Sequence, residues 1–358
     1  MKRIKAIDTF RGLSMLWMFV GHLQAWWLRD TNMWLYYLTF KIVDPIGSSA
    51  FIFIAGITTV ISIRGRYAKA VLSEDYNYRI IKREYFYRAT LIFVIAILYN
   101  STVALGLMNP IWIWTWFVLL TISISLFMAW FLMKVSILYR MIIGVLIWII
   151  SQFILSFLYP YQNQMNIYGV IFHILFHGIG LDVILYFFPF FLFGTVVGDL
   201  LYKYYNIEDK YIRKKNIVNK IVFPIFWVGI SLIIFGIFFQ FPKFFINRSF
   251  PWLFYTLGID LTLLAILIIF EEFPLINIKK GLHFLFYFSY YSLTVYLAHN
   301  LLYFIFLNKL NIFNIWIFIL ITCVLTGLIL RIIYKKFGSK LSLKVQIGRL
   351  AYYLAKRK

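Results

Sequence analysis

The stretch IDTFRGLSMLWMFVGHLQAWW, residues 7–27, decides the fold of this chain. It is apolar enough to enter a bilayer, yet it carries Arg11 and His22. On an α-helix an offset of eleven residues is three turns plus roughly 20°, so both side chains lie on one face, about 16 Å apart. Ionisable groups are costly in a bilayer and usually functional there. The pattern predicts a membrane helix with a guanidinium near the inner surface and an imidazole deeper in.

Composition extends this interpretation to the whole chain. Its 358 residues are 63% hydrophobic and 13% charged, with a mean hydropathy of +0.85. That balance excludes an ordinary soluble domain and indicates an all-α polytopic membrane protein. Apolar runs fill nearly the whole length, which predicts a single transmembrane domain over residues 1–358. About ten transmembrane helices are expected, near 9–28, 42–63, 89–107, 111–132, 137–159, 181–201, 221–239, 251–270, 283–306 and 313–333.

The distribution of the +22 net charge along the chain indicates membrane topology rather than a surface that binds nucleic acid. With the amino terminus inside, the inner segments hold 30 Lys or Arg residues and the outer segments hold five. This asymmetry is the positive-inside pattern, so both termini are expected in the cytoplasm and no nucleic acid is expected as a partner. The lipid bilayer is the expected partner, and a prokaryotic plasma membrane fits. The single cysteine, Cys323, excludes an internal disulfide.

Polar residues inside the predicted spans are the candidate functional groups, because each needs a partner, a water-filled cavity or a function. His22 and His299 lie at a similar outward depth in spans one and nine, and Asp260 lies near mid-depth in span eight. Each has a structural alternative. His299 beside Asn300 fits a helix–helix hydrogen-bonding pair, and Asp260 fits a buried partner of a cation or of a backbone donor.

Asp8 and two further histidines also have two interpretations. Asp8 suits a cap of the first span, where negative charge is favoured, or a pair with Arg11 one turn later. His173 and His177 lie four residues apart on one helical face, a spacing that permits metal ligation. No carboxylate or cysteine lies at a spacing that would supply a third metal ligand. An interfacial amphipathic helix therefore explains the two histidines better, and no metal is expected.

Motifs in five parts of the chain resemble those of one superfamily. Residues 3–12 read R-I-x-x-I-D-x-x-R-G, and R-x10-H follows from Arg11. The others are AFIFIAGITTVIS (50–62), IIKREYFYRATLIF (80–93), YFFPFFLFGTVVGDLL (186–201) and YYSLTVYLAHNLL (290–302). The set resembles the acyltransferase-3 superfamily and its heparan-α-glucosaminide N-acetyltransferase catalytic-domain-like proteins. In those close relatives a histidine often lies in the loop after the first span; residues 23–172 here contain none, so His22 must carry any histidine role in this region.

The resemblance implies acyl transfer, acetyl by default, from cytoplasmic acetyl-coenzyme A (acetyl-CoA) to an acceptor outside or in the outer leaflet. A glycan or a lipid-linked sugar would serve as that acceptor. Guanidinium groups at the inner mouth would hold the phosphates of the donor through charge-assisted hydrogen bonds. The predicted donor-site residues are Asp8, Arg11, Arg83 and Arg88.

The predicted catalytic residues are His22, His299 and Asp260. A neutral His22 would take the proton from the acceptor as it attacks the thioester, and the other two would orient the acceptor or His22. An acyl-histidine intermediate remains an alternative. So does another class of protein, a proton-coupled transporter or flippase of a glycolipid or small anion, with His22 and Asp260 as relay. The acceptor and the oligomeric state, a homo-oligomer included, stay open.

Overall fold

The computed structural model describes residues 3–71, 77–177, 181–240, 249–273 and 282–357. Within these ranges the chain is predominantly helical, and its only extended pairing is an isolated bridge between Leu28 and Leu310. The helices are α1 (Lys5–Trp27), α2 (Met33–Val43), α3 (Ser48–Val71), α4 (Tyr78–Gly106), α5 (Val118–Leu132), α6 (Ile137–Leu158), α7 (Ile167–Leu175), α8 (Ile184–Tyr205), α9 (Lys210–Ile217), α10 (Phe223–Gln240), α11 (Phe250–Glu272), α12 (Leu282–Tyr290), α13 (Ser292–Ala298), α14 (Asn314–Phe337) and α15 (Leu343–Lys356).

Eight helical segments of the described residues are long and apolar enough to cross a membrane. They overlap the predicted spans two to eight and ten. The other two predicted spans are also helical. α1 covers span one, but Arg11, His22 and Gln24 lower its hydropathy. Span nine is covered by α12, α13 and a 3-10 turn, His299–Phe304, rather than by one long helix. The all-α polytopic class is confirmed, whereas the count of ten and the cytoplasmic termini stay predictions.

The chain folds as two compact units. The α1 unit comprises residues 2–51 and 208–346, and the α4 unit comprises residues 52–207 and 347–358. The single domain over residues 1–358 stays a prediction.

In the α1 unit, α1 is enclosed by neighbouring helices, among them α11, α12 and α14. Gly12 permits the close approach of α12, because a Cβ at that position would lie 2.4 Å from the carbonyl oxygen of Leu285. Glu271, at the end of α11, accepts hydrogen bonds from the backbone N–H groups of Lys5 and Ala6 at 3.0 and 2.7 Å. A neighbouring helix therefore satisfies the first donors of α1.

The α4 unit contains a buried ion cluster. Arg140 of α6 is 2% exposed and donates to Asp199 of α8 and, at 3.0 Å, to the Thr195 hydroxyl. Arg64 of α3 donates to the other oxygen of Asp199 at 2.9 Å. The shared carboxylate supplies the partner without which a buried guanidinium would be strongly destabilising.

Candidate functional site

Two imidazoles from distant parts of the sequence lie together in the α1 unit. The ring centroid of His22, in α1, lies 4.8 Å from that of His299, in the 3-10 turn after α13. The turn is held against the end of α1 by the Trp27 indole, which donates to the carbonyl oxygen of Leu302 at 2.9 Å. The similar depth that we predicted for these histidines is thus accompanied by direct ring contact.

Aromatic side chains surround the imidazole pair. The Trp26 ring lies 5.1 Å from His22 and 5.5 Å from His299, nearly parallel to the latter at 22°. Tyr303 meets Trp26 edge-on at 5.6 Å, and Tyr296 lies 5.6 Å from His299. The pair therefore sits in a largely apolar wall, in which the imidazole nitrogens are the main polar groups.

The hydrogen bond at Nδ1 of His299 determines its tautomer. Nδ1 lies within hydrogen-bonding distance of the Tyr296 carbonyl oxygen. A carbonyl oxygen can only accept, so a neutral His299 carries its proton on Nδ1 and its lone pair on Nε2. His299 is 4% exposed, and its Nε2 has no hydrogen-bond partner among the described residues. The structure thus orients one buried acceptor nitrogen next to His22.

His22 differs from its neighbours in being exposed. Beyond Lys5, it is the only exposed residue of α1. A helix face turned to lipid would show a row of exposed residues at intervals of three and four. Here Phe19, one turn earlier, is buried and Trp26, one turn later, is half-buried. His22 is thus the accessible member of the imidazole pair, whereas His299 is buried.

At the amino-terminal end of α1, Asp8 is the centre of a polar cluster. It accepts hydrogen bonds from Nε of Arg3 and, at 3.0 Å, from the Ser289 hydroxyl. It also interacts electrostatically with Arg11, as the predicted pairing requires. The alternative in which Asp8 caps the helix is wrong, because α1 begins at Lys5 and Asp8 lies inside its first turn.

Arg83 and Arg88 lie in the early turns of α4, and both are half-buried. They belong to the α4 unit, whereas Arg11 belongs to the α1 unit. Their grouping into one phosphate site therefore stays a prediction. Their neighbour Glu84 is buried and pairs with Arg66 at 2.9 Å.

Asp260 lies near the middle of α11 and is fully buried. Among the described residues neither of its carboxylate oxygens has a hydrogen-bond partner, and its electrostatic neighbour is Asp44. Within that part of the chain no hydrogen bond or ring contact joins it to His22 or His299. Its predicted catalytic role stays a prediction.

His173 and His177 face each other with ring centroids 4.6 Å apart, as their spacing predicts. α7 ends at Leu175, and His177 follows it in the left-handed region with φ +58°. Its Nε2 lies 3.2 Å from the Ile111 carbonyl oxygen and 3.3 Å from the Thr115 hydroxyl. Burial lowers the pKa of both imidazoles. The described residues include no group of three or more metal-ligating side chains.

Some polar groups were not singled out from the sequence. Arg140 and Asp199 are ionisable residues inside predicted spans five and six, so their position alone was a detectable signal. Glu271 gave no such signal, because its role depends on which helix end it meets.

Comparison with known protein families gives one match. The family model described as "Heparan-alpha-glucosaminide N-acetyltransferase, catalytic" matches residues 3–241, about two thirds of the chain. The matched stretch includes His22 and the four predicted donor-site residues, and it ends before Asp260 and His299. No curated protein matches the chain.

Proposed function

Since this chain belongs to the heparan-alpha-glucosaminide N-acetyltransferase catalytic family, we propose that it moves an acetyl group across a membrane. The donor is cytoplasmic acetyl-CoA, and the acceptor is an amine or hydroxyl of a sugar on the outer side. A surface glycan and a lipid-linked sugar are the acceptor classes that fit. The wider assignment to the acyltransferase-3 superfamily and the location in a prokaryotic plasma membrane belong to the same proposal.

The imidazole pair is the observation that carries the proposal. His22 is exposed, and its ring centroid lies 4.8 Å from that of His299. A neutral imidazole is a suitable base at physiological pH, since its ordinary pKa is about 6.5. Surrounding aromatic side chains keep the region apolar, which strengthens electrostatic interactions within it.

The chemistry requires a proton to move twice. The acceptor nitrogen or oxygen attacks the thioester carbonyl carbon while His22 takes the acceptor's proton. The tetrahedral intermediate then expels the thiolate of CoA, which recovers that proton from the imidazolium, so the products are acetylated sugar and free CoA thiol. Such general base catalysis typically contributes ~10²–10⁴-fold. Nε2 of His299 accepts a hydrogen bond from the acceptor and orients it. In the alternative two-step route a ring nitrogen of His22 attacks the thioester carbonyl carbon and expels the CoA thiolate. The acceptor then attacks the acetyl-histidine, the imidazole leaves, and the acceptor's proton ends on the thiolate.

The donor extends from the inner end of α1 towards His22 in this proposal. Arg11 holds a phosphate, oriented by Asp8, and eleven residues of helix separate it from His22 by about 16 Å. That separation is on the order of the extended pantetheine arm. The participation of Arg83 and Arg88 in holding the phosphates stays a prediction from the sequence.

Proteoliposomes test the proposal directly. Protein reconstituted in one orientation receives labelled acetyl-CoA at its cytoplasmic face and glucosamine at the opposite face. We expect labelled N-acetylglucosamine to accumulate on the glucosamine side only.

Two other results would count against it. If the protein binds CoA but forms no acetylated sugar, the proposal of acetyl transfer is contradicted. Proton-coupled uptake of a glycolipid or small anion without any acyl donor would favour the transporter alternative.

A further inference from the structure

A break between two helices lies in the α1 unit, with Pro45 buried at its centre. α2 ends at Val43, and α3 begins at Ser48 after the 3-10 turn Asp44–Ile46 and Gly47. Pro45 has no N–H group, so the carbonyl oxygen four residues before it loses its α-helical donor. A pair of half-helices of this kind presents a carbonyl-bearing end at the break.

The break lies level with the middle of two enclosing helices. A Cβ on Gly47 would lie 3.3 Å from Cδ1 of Trp17, midway along α1, and 3.5 Å from Oδ1 of Asp44. The turn also packs against α11, whose midpoint is near Asp260. Irregular backbone at such depth is tolerated where it lines a site, and interrupted helices in transporters coordinate ions there.

Asp260 supplies an unpartnered carboxylate at this level. It is fully buried, and neither oxygen has a hydrogen-bond partner among the described residues. The carboxylate of Asp44 is close enough to repel it. A buried charge is strongly unfavourable unless it is paired, so Asp260 is either neutralised by a proton or paired with a cation.

Thr256 supplies an independent oxygen. It lies one turn before Asp260 on the same face of α11, is fully buried, and its hydroxyl has no partner among the described residues. Thr262 of the same helix likewise has a buried hydroxyl without a partner among the described residues, whereas two threonines on other helices behave differently. Thr58 and Thr322 donate to the carbonyl oxygen four residues earlier at 2.9 and 2.8 Å. The Thr256 hydroxyl is thus not used by its own helix.

We propose that Asp260, Thr256 and Asp44 form a sodium-binding site that ties the α2–α3 break to α11. All the donors are oxygens, which favour a hard cation over zinc or copper. A single positive charge fits because Asp260 is the carboxylate without a partner, whereas Asp44 has further interactions. This site is separate from the acetyl transfer proposed above and does not depend on it.

Thermal unfolding of the purified full-length protein in detergent tests the site. Sodium chloride is compared with N-methyl-D-glucamine chloride at constant ionic strength and pH. A ligand that binds only the folded state stabilises it in proportion to the logarithm of its concentration. We expect Tm to rise by roughly 2–4 °C for each tenfold increase in sodium above the dissociation constant.

Three variants make the test specific. Asp260→Asn and Thr256→Val should each abolish the sodium dependence of Tm. Thr262→Val is the matched control on the same helix. The Thr262 hydroxyl faces α10, because it lies 2.4 Å from where a Cβ of Gly229 would be. This variant should respond to sodium like the wild type. If Asp260→Asn fails to fold, Thr256→Val still decides.

Three outcomes overturn the proposal. One is a wild-type Tm that is the same in sodium and in N-methyl-D-glucamine. The second is a Tm that follows pH but not sodium, which means that Asp260 is simply protonated. The third is stabilisation by calcium or magnesium in place of sodium.

Discussion

At the scale of single residues, the two imidazoles of the site have different surroundings and therefore different tasks. His299 is buried, and its Nδ1 is engaged by a backbone carbonyl, so its acceptor nitrogen has a fixed direction. His22 has no hydrogen bond among the described residues and is exposed. His22 is therefore the accessible imidazole, while the orientation of His299 is set by the fold.

Removing His299 should impair the use of the acceptor. His299→Ala deletes the oriented acceptor nitrogen, so kcat/KM for glucosamine should fall by roughly 5–150-fold, the equivalent of ~1–3 kcal/mol for one hydrogen bond left unmade. His299→Gln, which retains an acceptor oxygen, should recover part of the loss. The control is His173→Ala, which should match the wild type. Equal kcat/KM values for the wild type and all three variants would contradict the proposed role of His299.

Arg11 should act on the donor rather than on the acceptor. A hydrogen bond to a charged group contributes about 1.5–3 kcal/mol, so Arg11→Ala should raise KM for acetyl-CoA by roughly 10–150-fold with little change in kcat. Arg29 follows the other end of α1, so Arg29→Ala should leave KM for acetyl-CoA unchanged. An unaltered KM in Arg11→Ala would contradict the phosphate role.

At the scale of elements, long apolar segments were predictable and short or broken ones were not. Eight long helical segments of the described residues overlap predicted spans because twenty apolar residues in a row have few alternatives. α2, α9 and α15 were missed, since short helices depend on neighbours for their stability. The meeting of His22 with His299 was foreseen only as a similar depth. The contact between the two imidazoles depends on the 3-10 turn after α13, which no sequence pattern predicted.

The packing of α1 on α12 gives a test at this scale. Gly12→Ala would place a Cβ 2.4 Å from the Leu285 carbonyl oxygen, so the helices must separate, at a cost of about 1–3 kcal/mol in the free energy of unfolding. A lower Tm is expected. Gly21→Ala is the matched control, since nothing lies within 4 Å of that added methyl. Equal Tm values for the two variants would contradict this packing.

At the scale of the whole molecule, charge asymmetry predicts the orientation in the membrane. Inner segments hold 30 of the 35 Lys and Arg residues. The proposed reaction requires this orientation, because it takes its donor from the cytoplasm and holds that donor with Arg11, near the amino-terminal end of α1. The division into two units was not predicted, since the apolar runs follow one another without a linker composition that would mark a boundary.

Cysteine labelling tests the orientation. Cys323 is the only cysteine of the chain and is buried. Because there is no other cysteine in the sequence, Cys323→Ala provides a cysteine-free background. Asn163→Cys and Lys210→Cys are both exposed positions, predicted to lie outside and inside the cell. A membrane-impermeant maleimide should label the first in intact cells and the second only after permeabilisation. The reverse pattern would invert the topology.

The central claim is that His22, beside His299, moves the proton during acetyl transfer, and one measurement tests it most directly. His22→Ala and wild-type protein are reconstituted in proteoliposomes, and labelled acetyl-CoA and glucosamine are supplied on opposite faces. The account predicts that the variant binds CoA with wild-type affinity but transfers acetyl groups at least about 10²-fold more slowly. Transfer by His22→Ala at the wild-type rate would contradict the account.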